Sequence, residues 1–326
     1  MAKIALIQEI KNALGADAPS MTFWSEEKVK EYHSKVVRSE ENYGSIDIDT
    51  ISFIDLLNKK YHGGTTLSSG ALPKWDLEDG KYMVKRCGID SYGRLLTDYA
   101  NEELIYRFCE GVGIKAAKYR AIRIKYFDEE LSKEIETPAV ITEIFSDSLV
   151  HYRDIRRRFN FGKDNDEIID FTDKFQVSQE LNDLLLVDYL FNQQDRHSKN
   201  IGMIGDKLSP IFDSGSSLFF DILESQLNEG LYDKVPRHKT FGKALHEQLK
   251  FSLQYIDNGF TVAFDGKLFL SKFESALGSM ANHYSARRSE FVLGLVKRRL
   301  TEVGQILSKT QRRNGVRRYF GNKHQR

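Results

Sequence analysis

At 326 residues, 40% hydrophobic and 29% charged, the chain is long enough for one large bilobal domain or two domains with an ample core. Its two cysteines, Cys87 and Cys109, are too few for a disulfide scaffold and lack the CxxC spacing of a zinc or redox site, which fits a reducing compartment. The net charge of +1 hides an uneven split: the last eighteen residues, KTQRRNGVRRYFGNKHQR, hold seven Lys or Arg and no acid, so residues 1–308 carry 41 basic against 47 acidic side chains.

No apolar run approaches the ~18 residues of a membrane span, since even LLLVDYLF is short and contains Asp188. The start, MAKIALIQEIKNALGADAP, is amphipathic without the apolar core and small-residue cleavage site of a secretory signal. The expectation is a soluble, cytoplasmic protein with no membrane partner, secretion by a non-classical route being left open.

Residues 1–60 read as helix, polar connection and helix, IALIQEIKNAL and ISFIDLLNKKY, forming an N-terminal extension without a chemical motif. From residue 61 the character changes. HGGTTLSSGALPKW is a Gly, Ser and Thr-rich loop whose backbone N–H groups and hydroxyls suit phosphate, although it matches neither G-x-x-x-x-G-K-[ST] nor G-x-G-x-x-G, and a plain surface hairpin is the competing reading. The strand-like KYMVKRC follows, and alternation puts Met83 and Lys85 on one face. A helix is expected at about 98–110, with Leu104, Ile105 and Phe108 as its apolar stripe and Gly111 as its stop; of its acids Glu102 and Glu103, Glu102 is the candidate partner for Lys85. Two further strands, near 118–127 and 137–145, complete a small sheet, with Glu143, Ile144 and Phe145 where a hinge would present backbone groups to adenine.

Beyond residue 146 the chain turns helical: LVHYRDIRRRF, a polar break, then VSQELNDLLLVDYLFN with Ser178 as a candidate cap. That helix delivers NQQDRHSKNIGMIGDKLSPIFDSGSSLFF, residues 192–220, in which Asp195 and Asn200 have the D-x-x-x-x-N step of a kinase catalytic loop. IGMI and LSPIF read as two short strands bringing Asp213 to the same pocket, where an Asn and an Asp suit Mg²⁺. The chemistry suggested is phosphoryl transfer; a metal hydrolase using Asp195, His197 and Asp213 is a second reading, disfavoured because catalytic zinc usually takes three protein ligands with His or Cys prominent. Helices are expected at about 241–258, 267–280 and 285–308, then the basic tail, which reads as a solvated disordered end or as a contact for nucleic acid or an acidic partner.

With these residues laid out, QDRHSKNIGMI followed by LSPIFDSGSSL resembles the signature of HipA-like serine/threonine kinases, and SSGALPK resembles that family's SGA-x-x-K phosphate loop; the resemblance spans roughly residues 65–300. It implies an α+β, bilobal protein-kinase-like fold with a small β-rich N-lobe over 61–145 and an α-rich C-lobe over 146–308. ATP and Mg²⁺ are implied with it: Lys85 on the α and β phosphates, Asp195 as catalytic base, and Asn200 and Asp213 on the metal. Ser68, Ser69, Gly70, Ala71, Lys74, Glu143, Phe145, His197 and Lys199 then surround the nucleotide. The implied partners are a protein substrate phosphorylated on Ser or Thr, such as a translation factor or a host protein, and an antitoxin in the toxin branch. Two departures stand out. Residues 1–60 are short for the toxin's N-terminal domain, and the position of the family's autophosphorylated loop serine is Leu67 here, leaving Thr66, Ser68 and Ser69 as the neighbouring hydroxyls.

Overall fold

The computed structural model describes residues 3, 7–8, 25–30, 46–59, 72–78, 80–129, 131–145, 148–163, 165–255 and 259–321, with side chains to residue 310. A five-stranded sheet builds the smaller lobe from β1 (Phe53–Asp55), β2 (Lys74–Leu77), β3 (Tyr82–Arg86), β4 (Tyr119–Asp128) and β5 (Lys133–Glu143), in the order β1-β4-β5-β3-β2. Only β1 and β4 pair in parallel; the other neighbours are antiparallel.

Period-2 alternation sorts the sheet's two faces. Trp75, Leu77, Tyr82, Val84, Ile122, Ile124, Tyr126 and Ile141 fill a core on one side, and Trp75 meets Tyr126 edge-on at 5.2 Å between ring centroids. Each fully buried side chain of this size contributes about 1.5–3 kcal/mol. The opposite face therefore keeps Met83 and Lys85, and β2 pairs Lys74 directly with Lys85. Helix α1 (Asp98–Val112) packs against β4 and β5 and ends at Gly113, whose φ of 82° is left-handed, two residues beyond the expected stop.

ISFIDLLNKKY, expected as a helix, departs from that reading. Its Phe53–Asp55 segment is a strand with Ile54 alone buried, and Leu56 donates its N–H to the Lys125 carbonyl. Ile46, Ile48, Ile54 and Leu56 all join the sheet core, so the chain enters the small lobe before residue 60. Apolar contact with β4 outweighs the helical spacing of this short run.

The larger lobe is helical: α2 (Tyr152–Phe159), α3 (Asn165–Phe175), α4 (Ser178–Leu190), α5 (Leu245–Tyr255), α6 (Gly266–Ser279) and α7 (Ala286–Gly321). A small sheet, β6 (Val150–His151), β7 (Gly202–Ile204) and β8 (Lys207–Leu208), lies between them in sequence order. Helix α3 occupies the expected polar break. Val177, not Ser178, takes the N-cap position of α4 and makes no side-chain cap. The basic segment expected as a solvated end continues α7 as far as Gly321. From Leu181 to Leu190 helix α4 is buried on all sides, and its Asn and Asp side chains there are partnered: Asn182 by Ser252 and Gly259, Asp183 by Thr261, Asp188 by Arg196. Its end, with Asn192 at a φ of 55°, turns the chain into the site.

Candidate active site

Three segments converge on Lys85. Its Nζ lies 2.9 Å from Asp213 Oδ1 and 3.4 Å from Glu102 Oε1. Glu102, 2% exposed on α1, also accepts the Ser214 N–H at 2.8 Å, so one carboxylate ties strand, helix and the 213–215 turn together. Asp213 itself has a φ of 54°, an unusual left-handed conformation for Asp, and its N–H donates to the buried Tyr119 hydroxyl at 3.1 Å. Gly215 is required by close approach: a Cβ there would come 3.0 Å from the Asp98 carbonyl and 3.1 Å from Glu102 Oε1.

The charges at this junction are unequal. Burial opposes the Lys85 ammonium, but Asp213 and Glu102 outweigh it and hold its pKa well above the ordinary lysine value. Burial raises the Asp213 carboxyl, yet the charge and hydrogen bond of Lys85, with Lys74 and Arg196 beyond, pull it far below the usual carboxylate range. Glu102 is pushed up to about 7, first by burial and then by Asp213, against the pull of Lys85. Lys74 and Lys85 stand opposite each other on β2 and β3, an arrangement of like charge that favours an anion between them. Asp213, 41% exposed at the cleft, serves as that anion here.

The 193–200 loop is fastened to the same turn by two side chains that sequence reasoning passed over. Gln193 accepts the Asp195 N–H at 2.8 Å and donates to the Asp213 carbonyl at 3.1 Å. Arg196 uses all five of its donors: Nε and Nη2 on the Asp188 carboxylate, Nη2 also on the Ser214 hydroxyl, and Nη1 on the carbonyls of Asn200 and Phe212. The Arg196 and Asp188 side chains are both sealed from solvent. The one available signal was Asp188, a charge inside LLLVDYLF that burial would oblige to find a partner.

Asn200, a buried residue, donates its side-chain N–H to the Asp195 carbonyl at 3.2 Å, a bond that does not engage its Oδ1. The Asp195 carboxylate is 39% exposed and meets Lys239 Nζ at 2.5 Å, a contact not anticipated from sequence. His197 is half-buried, and its Nδ1 has no hydrogen-bond partner among the described residues. Lys199 is exposed. Thr66, Ser68, Ser69, Gly70 and Ala71 lie outside the described residues.

An apolar wall stands beside the charged groups. Val140 pairs with Lys85 across β3 and β5, and with Ala117 and Tyr119 it forms a small cluster against which Phe145 and Phe212 pack. Phe145 and Phe212 rings lie 5.7 Å apart, so the residue next to Asp213 touches the expected hinge. At that hinge the exposed Glu143 ends β5, and the Ile144 N–H is used within the lobe, donating to the Lys81 carbonyl at 2.8 Å. Hydrogen bonds and strand pairing link Lys74, Lys85, Glu102, Asp195, Asn200 and Asp213 beside an apolar side. Chemically, Asn200 and Asp213 could offer oxygens to a hard cation, the two lysines could hold an anion, and the exposed Asp195 carboxylate could take a proton.

No protein-family model matches the chain, and no curated protein does. Among solved structures it is similar to the proinflammatory kinase CtkA of Helicobacter pylori, with 14% identity over 80% of this chain and 99% of that one and a TM-score of 0.54. Looser matches are HipA of Shewanella oneidensis, solved with HipB and its operator DNA, at 13% identity, coverages of 84% and 72% and a TM-score of 0.39, and a mutant PAN3 pseudokinase of Neurospora crassa at 11%, 90%, 72% and 0.28. With its five-stranded small lobe and helical large lobe, this protein has the bilobal, kinase-like fold of CtkA.

Proposed function

We propose that the protein is an ATP- and Mg²⁺-dependent serine/threonine protein kinase of the HipA-like type. The observation that carries this reading is the Lys85–Asp213 contact at 2.9 Å, supported from behind by Glu102 and joined through Gln193 and Arg196 to the loop bearing Asp195 and Asn200. The residues suit Mg²⁺. One Arg196 nitrogen holds the carbonyls of Asn200 and Phe212, so the Asn200 and Asp213 side chains start from a common anchor, and Mg²⁺ needs few protein oxygens when phosphates supply the rest. Among the described residues no cluster of three His, Cys, Asp or Glu offers a rival metal site. When bound, Mg²⁺ would neutralise phosphate charge.

Lys85 exchanges Asp213 for nucleotide phosphates on binding, with Lys74 beside it on β2. Val140, Phe145 and Phe212 flank the base. Asp195 accepts the proton of the Ser or Thr hydroxyl as its oxygen attacks the γ-phosphorus. A phosphoryl group on Thr66, Ser68 or Ser69 would compete with ATP for the same lysines, making autophosphorylation inhibitory. The acceptor is a protein, with a translation factor or a host protein as the leading classes. Incubation with γ-labelled ATP and Mg²⁺, alone and with lysate, tests the reading: label on this chain or on a lysate protein is expected, lost in Asp195→Asn. Nucleotide binding without any transfer would instead make the chain a nucleotide-binding module.

A further inference from the structure

Lys239 reaches Asp195 from 44 residues downstream, its Nζ 2.5 Å from Oδ1. Its neighbours fix it there. His238 is 1% exposed, stacks on Phe241 with centroids 4.7 Å apart, and has Nε2 3.6 Å from Asp188 Oδ2. Thr240 is buried on the other side and donates its hydroxyl to the Arg196 carbonyl at 3.2 Å. The segment also closes on itself: His238 N–H donates to the Lys243 carbonyl at 2.7 Å, Gly242 N–H donates to the His238 carbonyl at 2.9 Å, and Arg237 bridges to Ala244. Residue 239 thus lies between two buried neighbours, His238, packed on Phe241 beside Asp188 with no hydrogen bond from its ring among the described residues, and Thr240, bonded to the Arg196 backbone.

This construction separates two roles for a lysine on a catalytic carboxylate. A blocking segment that swings away from Asp195 would expose His238 and break the Thr240 contact, so residue 239 stays beside Asp195. Only the Lys239 side chain, 55% exposed, is free to move. Resting on the kinase reading above, we infer that Lys239 is a further catalytic residue, which orients Asp195 before transfer and stabilises the charge on the moving phosphoryl group during it.

The charge balance supports the second half of that role. The Ser or Thr oxygen forms the new bond to the γ-phosphorus, the bond from that phosphorus to the β–γ bridging oxygen breaks, and ADP leaves with the electron pair. The hydroxyl proton goes to Asp195. As Asp195 becomes neutral, the Lys239 ammonium loses its partner at the moment the phosphoryl oxygens, in reach of a flexible stem, need a cation.

The test compares wild type, Lys239→Met and Lys239→Arg in turnover and in the binding of MgADP with and without fluoroaluminate, a stand-in for the phosphoryl group in flight. Wild type is expected to bind MgADP about 10²-fold or more tightly when fluoroaluminate is present. Lys239→Met should lose at least about tenfold of that gain and about 10²-fold in kcat, with KM for ATP and affinity for MgADP alone within about twofold. Lys239→Arg should recover much of both. Turnover in Lys239→Met that equals or exceeds wild type, or an undiminished fluoroaluminate gain, overturns the role of Lys239 while leaving the kinase reading intact. A wild type that binds MgATP but neither transfers phosphate nor gains from fluoroaluminate overturns the kinase reading, and this inference with it.

Discussion

Lys85 and Asp213, 128 residues apart in sequence, meet at 2.9 Å, and the buried Glu102 lies 3.4 Å from the same ammonium. One cation serves two carboxylates. The nearer one is held far below the usual carboxylate range, while burial first and the Asp213 charge after it raise Glu102 to about 7.

Glu102 therefore shapes the pH dependence of stability. Unfolded, its carboxyl loses a proton near its ordinary 4.5; folded, it keeps it up to about 7, so the unfolded chain binds fewer protons between those values and stability falls as pH rises through them. Glu102→Gln removes this component. In urea unfolding, the stability of the variant minus that of wild type should climb from pH 4.5 to about 7 and then level off. A pH-independent difference would contradict the assignment.

The two aspartates of the cleft should separate by readout. Asp213→Asn should weaken Mg²⁺-dependent nucleotide binding, because it replaces the anionic oxygen proposed to hold the metal with a neutral amide. Asp195→Asn should leave binding nearly unchanged and lower turnover by about 10²–10⁴ for a lost general base. Calorimetric titration with MgATP alongside transfer kinetics checks this; equal loss of affinity in both variants would be the opposing result.

The Asp188–Arg196 pair is a stability element with a functional consequence. Arg196→Met leaves a sealed carboxylate uncompensated and frees two carbonyls, which should cost about 3–5 kcal/mol in urea unfolding. Arg196→Lys should rescue little, since an ammonium has three donors where five are used. Adding Asp188→Leu to Arg196→Met should recover part of the loss by removing the orphan charge.

Gly215→Ala should act on the site through packing. The added methyl meets the Asp98 carbonyl and the Glu102 carboxylate at 3.0 and 3.1 Å, and the rigid backbone neighbour cannot yield as a free side chain would. A destabilisation of about 1–3 kcal/mol is expected, with weaker nucleotide binding as Glu102 shifts from Lys85. Thermal unfolding and ATP titration of the one variant report both effects.

What the sequence determined by itself is local. The alternation of KYMVKR places Lys85 opposite the core face, the apolar stripe of residues 98–112 makes a helix, and the D-x-x-x-x-N step puts Asp195 and Asn200 in one loop. Each follows from a period or spacing within a few residues. Periodicity misassigned residues 53–55, because a run this short satisfies helix and strand alike until β4 supplies a partner. Glu102, the candidate partner of Lys85, stands about 100° around the helix from Glu103, and the packed molecule shows Glu103 spent on Arg107, Arg120 and the Ala121 N–H while Glu102 reaches Lys85. Gln193, Arg196 and Lys239 carry no local pattern at all. Their roles arise because burial of Asp188 in α4 demands a guanidinium, that guanidinium gathers the carbonyls of two loops, and the downstream hairpin seated on it brings a lysine to Asp195. Tertiary closure decided these contacts, since the energy of pairing a charge depends on what surrounds it in space and not on how far along the chain its partner lies.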